Sequence, residues 1–169
     1  MRMKKDNRGL SLIEVVIVIT ILAVLGALMT LGVSVAVSKP ADECANKMMT
    51  SMNNARVTTM GKQSITLKYY VKNNSIYLDK EIVAETGATP FKETTQIGAK
   101  DVKVTYRLKD ETDYKDLSAY PMVLSFDRTT GGFKEEHNSG AYVEEIVITK
   151  GNRTKILKLM YLTGKVTLE

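Results

Sequence analysis

The residue most suggestive of chemistry is a carboxylate in an apolar setting. Glu14 stands near the start of the otherwise uncharged run 10–37, five residues after Gly9. Inside bilayer hydrocarbon an acidic side chain costs roughly 2.5–3.5 kcal/mol at mid-helix, and less near the headgroups. A charge held at that cost marks a function, and the chemistry open to it is electrostatic: pairing with a cation. Gly9-Leu10 is the junction between a basic segment and the apolar run, so the same few residues mark a cleavage point and a pairing partner.

The remaining reactive side chains are sparse. His137 is the sole histidine, flanked by Glu135, Glu136 and Asn138, and reads as exposed. Cys44 is the sole cysteine, so no intramolecular disulfide forms. The residues before it, Ala41-Asp42-Glu43, are charged where a lipid-modification box is small and apolar. Asp110, Glu111, Asp113 and Asp116 form an acidic cluster, but without the spacing and turn glycine of a calcium loop, and read as a solvated face. There is no nucleophile elbow, phosphate-binding loop, HExxH helix or cysteine pair. The expectation is a chain that packs and contacts, with no enzymatic activity, no cofactor and no metal.

The elements that carry Glu14 emerge from hydropathy and charge. Residues 1–9 hold Arg2, Lys4, Lys5 and Arg8 against Asp6. The apolar run 10–37 reaches roughly 42 Å as a helix, more than the ~30 Å hydrocarbon core. Excess positive charge stays cytoplasmic, which puts the N-terminus inside and the rest of the chain outside. The 169 residues carry a net charge of +5, which falls to +2 without the leader. The remaining lysines are dispersed among acids, so no direct nucleic-acid contact is expected. The residues beyond the span suffice for one ordinary domain.

In residues 38–61, Lys39-Pro40 is expected to kink or restart the helix. Ala41, Ala45, Met48, Met52, Ala55 and Thr59 then recur at three- and four-residue spacing as a narrow apolar stripe, ended by Gly61. From residue 62 to 169 the period becomes twofold. Ile65, Leu67, Tyr69 and Val71 alternate with polar residues, Asn73-Asn74 turns into 75–78, and Val102, Val104, Tyr106 and Leu108 alternate again. Further strands are read at 122–126, 143–149, 155–162 and 165–168. Residues 83–99, with Pro90, and 109–120 read as surface loops or a short helix. The sum is an α+β domain: an antiparallel sheet with one covered and one wet face, and a long N-terminal helix as its cover.

The block Gly9-Leu10-Ser11-Leu12-Ile13-Glu14-Val15, with the apolar run behind it, resembles the type IV pilins and pseudopilins, the class III signal-peptide proteins. The resemblance implies a pilin-like fold, removal of residues 1–9 by a prepilin peptidase, and N-methylation of Leu10. It also implies assembly through the N-terminal helix with other pilin subunits, an assembly-platform membrane protein and membrane lipid as partners. Leu10 stands where the family most often has phenylalanine. Under this resemblance Glu14 meets the freed amine at Leu10 of a neighbouring subunit. More diffusely, Ala55-Arg56 before the first strand and Leu162-Thr163-Gly164-Lys165 near the end resemble minor pseudopilins of the GspH/FimT type.

Two other processings compete. A conventional signal peptidase could act after Ser34-Val35-Ala36, releasing a secreted binding domain, or an uncut leader could leave a signal-anchored one. The mature N-terminus separates the three: Leu10, Val37 or Met1.

Overall fold

The computed structural model describes residues 12–61, 63–83 and 89–169, with side chains from 26 to 38 left aside. The chain divides into two compact units, Met1–Ala36 and Val37–Glu169. In the first, the described residues are helical, the opening part of α1 (Leu12–Met60).

In the second unit the later turns of α1 bury the expected stripe. Ala41, Ala45, Met48, Met52, Ala55 and Thr59 are each 0% exposed, and Cys44 joins them. The helix ends where glycine comes next, with the Gly61 N–H donating to the carbonyls of Val57 and Thr58. Pro40 lies inside α1, so of the two outcomes expected there, a kink or a restart, the restart does not occur. Its missing N–H deprives only the carbonyl of Ala36, the residue at which the units divide. The burial of Ala41, Cys44 and Ala45 directly after it holds the succeeding turns in place.

Among the described residues nine strands come after the helix: β1 (Ser64–Lys72), β2 (Ser75–Val83), β3 (Phe91–Gly98), β4 (Lys103–Leu108), β5 (Tyr114–Asp116), β6 (Met122–Ser125), β7 (Val143–Lys150), β8 (Arg153–Met160) and β9 (Lys165–Leu168). They form two antiparallel sheets where the sequence suggested one, in the orders β3-β2-β1-β6 and β5-β4-β7-β8-β9. The first hairpin turns at Asn73-Asn74, both with positive φ (51° and 60°), as a two-residue turn of this twist requires. The stretches read as loops contain β3 and β5. Both are edge strands, and an edge strand wet on both faces carries no alternation to read.

One buried cluster joins the helix stripe to the inward side chains of both sheets: Ile65, Leu67 and Tyr69 from β1, Ile146 and Ile148 from β7, Leu157 from β8. Each such aliphatic side chain contributes roughly 1.5–3 kcal/mol on burial. The Tyr69 hydroxyl is satisfied by Ser51 on α1 at 2.7 Å, so a polar pair stitches helix to sheet inside the core.

Candidate functional site

Gly9 and Leu10 lie outside the described residues. Glu14 is on α1 and exposed. Around it every large apolar side chain in residues 12–25 is exposed, from 41% at Val15 to 84% at Leu12. A helix apolar on all faces is stable only when something covers it. The one hydroxyl in this stretch, Thr20, donates back to the carbonyl of Val16, so Thr20 adds no outward-facing donor and Glu14 is the stretch's one charged side chain. Among the described residues no helix is long and apolar enough to cross a membrane. The run 10–37 on which the span was read includes residues 10 and 11, outside the described residues, and 26–37, whose side chains are left aside.

A second place singled out by the sequence is where α1 ends. Ala55 is fully buried, and Arg56 Nε donates to the Gly131 carbonyl at 3.3 Å. Gly131 and Gly164 both have positive φ (70° and 63°), and a Cβ on Gly164 would stand 1.9 Å from the Gly131 oxygen. The arginine and the two turns thus form a locked junction between the helix end, the β6–β7 connection and the β8–β9 turn. It is a packing device without reactive groups.

His137 is half-buried rather than exposed, lining a cavity of about 240 Å³ with Tyr106, Tyr120 and Asn138. A larger hollow of about 530 Å³ carries Asp127, Glu135, Tyr142 and Tyr161. Its two tyrosine rings sit 4.8 Å apart, with Lys109 Nζ 4.2 Å above Tyr161. Burial and the neighbouring Glu135 push the Tyr142 phenol up. Nothing in the sequence flagged these tyrosines, because a cross-strand ring pair has no local spacing. The acidic stretch is held by its own contacts: Glu111 pairs with Lys115 at 3.0 Å, and Asp116 accepts from the Ser118 N–H at 2.7 Å. Among the described residues no group of His, Cys, Asp or Glu has the arrangement to hold a metal ion.

Cys44 is sealed between α1 and the first sheet, and burial pushes its thiol up to about 12, with Lys47 pulling weakly the other way. That is the environment of an inert packing cysteine.

Residues 4–30 match the prokaryotic N-terminal methylation motif. The matched segment contains Gly9, Leu10 and Glu14 together, and it supports a chain of the type IV pilin or pseudopilin kind that a prepilin peptidase processes. No curated protein and no solved structure matches the chain.

Proposed function

We propose that the chain is a structural subunit of a type IV pilus or of a secretion or competence pseudopilus, a minor one of the GspH/FimT type, without catalytic activity. The observation that carries this reading is the coincidence of the methylation motif with an apolar helix whose side chains are exposed throughout residues 12–25.

The order of events is set by the chemistry. The basic leader holds the N-terminus at the cytoplasmic face, residues 10–37 lie in the bilayer, and the β-rich domain stands outside. Cleavage between Gly9 and Leu10 removes the leader and creates a new α-amine, which is then methylated and stays cationic. In the membrane Glu14 lies near the inner headgroups, where its charge is tolerated. Passed by the platform protein into a bundle of apolar helices, the carboxylate meets the amine at Leu10 of an adjoining subunit. Little water screens that attraction, and a subunit entering out of register leaves a charge without its counterpart at a cost of several kcal/mol. The pair acts as a register check.

Glu14→Ala tests this reading. Cleavage and methylation persist, whereas recovery of the subunit in sheared filaments falls at least tenfold. Recovery at the wild-type level contradicts the proposal. The rival reading, a secreted or signal-anchored binding domain, requires that variant to behave as wild type.

A further inference from the structure

The first sheet ends on an uncovered strand. Among the described residues β3 pairs only with β2, and all six side chains from Phe91 to Gln96 are exposed, Phe91 at 62%. Free edges of this length are normally blunted by prolines, bulges, brevity or charged side chains. The charges of β3 are a pair of opposite sign, Lys92 and Glu93, with Lys92 turned back onto Asp79 at 3.0 Å. Here the strand is eight residues long, and its one irregularity is the bulge near Gly98, at the far end.

The hydrogen-bonding phase of that edge can be worked out. Lys72↔Ser75 closes the two-residue β1–β2 hairpin and is therefore a hydrogen-bonded pair. Alternation then turns the backbone groups of Leu78, Lys80 and Ile82 toward β3, where they face Thr95, Glu93 and Phe91. The N–H and C=O groups of Lys92, Thr94 and Gln96 accordingly point outward, away from the sheet.

We propose that β3 is a homotypic docking edge, at which a second copy of this chain adds its own β3 antiparallel, on a two-fold axis through Thr94. This rests on the strand itself and not on a role in filaments. The register is dictated by self-complementarity. Centred on Thr94, the outward groups of residues 92, 94 and 96 meet in hydrogen-bonded pairs. Thr94 faces Thr94 of the second copy, Lys92 faces Gln96, and Glu93 faces Thr95, with no like charges opposed. Centring one residue earlier puts Glu93 against Glu93, which is repulsive.

The same register disposes of the exposed ring. Phe91 comes opposite Ile97 of the second copy. Ile97 lines a groove of about 430 Å³ between β3 and α1, together with Leu78, Thr95 and, on the helix, Asn46 and Thr50. Each copy thus offers one aromatic knob and one apolar-floored hollow, as an isologous interface requires. The result is a continuous eight-stranded sheet across the two copies.

The test places single cysteines in the full chain in its native membrane and applies a thiol cross-linker too short to bridge four residues of strand (about 13 Å at ~3.3 Å per residue). Native Cys44 is fully buried and stays silent. Thr94→Cys is expected to give a homodimer. Lys92→Cys and Gln96→Cys are each expected to stay monomeric alone and to cross-link when co-expressed. Adding Phe91→Lys is expected to lower both yields at least fivefold without altering resistance to protease. Should Thr94→Cys fold poorly, the Lys92→Cys and Gln96→Cys mixture decides alone. Equal cross-linking at all three positions, no product in the mixture, or products containing a different protein would each overturn the proposal.

Discussion

Glu14 and Cys44 are both ionisable residues on α1, and their surroundings give them opposite fates. Glu14 is exposed on an apolar helix, and under the proposed function the charge it meets belongs to another subunit. Cys44 is enclosed against the Gly98 end of β3, where an added Cβ on that glycine would come within 3.1 Å of its sulfur. With its thiol pushed up to about 12 by burial, Cys44 offers almost no thiolate at neutral pH. A thiol reagent applied to the folded protein at mildly alkaline pH is expected to leave it unmodified, and full labelling to appear only with denaturant. Rapid labelling without denaturant would mean that the helix does not seal this side of the core. Gly164 is the other residue with a sharp role. Replacing it with alanine forces a side chain into the left-handed region and onto the Gly131 carbonyl. The expected loss is about 2 kcal/mol or more, read as a lowered urea midpoint.

At the scale of elements, α1 is the piece on which the rest depends. Its stripe of small and flexible side chains lets the backbone come close to the sheets, and Met48 and Met52 fill what remains. Met52→Ala should cost roughly 2–5 kcal/mol as a core cavity while leaving the segment around Glu14 unchanged, which denaturation and processing assays together would register. This stripe was legible in the sequence because a helix covered on one side prints its period on the chain. So were β1, β4 and β7, each with one wet face. The edge strand β3 was not: its threonines and charges are wet on both faces, and Pro90 sits just before it. The division into two sheets was also illegible, since pairing partners far apart in sequence leave no local mark. The same holds at the site. Gly9, Leu10 and Glu14 declare themselves by spacing along the chain. The Tyr142–Tyr161 pair and the Arg56–Gly131 contact exist only once the sheets are folded.

For the molecule as a whole, acid is the expected weak point of the β-rich domain. Asp79, Asp116 and Asp127 all sit below the usual carboxylate range. Burial works to raise Asp79, but hydrogen bonds from Thr94, Lys92 and Tyr70 outweigh it. Asp116 is lowered by Ser118, and Asp127 by the backbone N–H groups of Thr130 and Thr129. A carboxylate whose native pKa is depressed adds stability above its unfolded value, about 3.9 for Asp. That contribution drains away as pH falls through the lower native values. The urea midpoint of the full chain should therefore hold from neutrality to about pH 5 and fall below about pH 4. A midpoint flat to the lowest pH would contradict a stabilising role for these three carboxylates.

The central claim concerns the N-terminus, and the intact mass of the protein from its own membrane tests it most directly. With a prepilin peptidase present, the expected species is a chain beginning at Leu10 and carrying one added methyl group; without the peptidase, it is the full chain from Met1. A protein that begins at Val37, or that keeps residues 1–9 while still entering filaments, would contradict it.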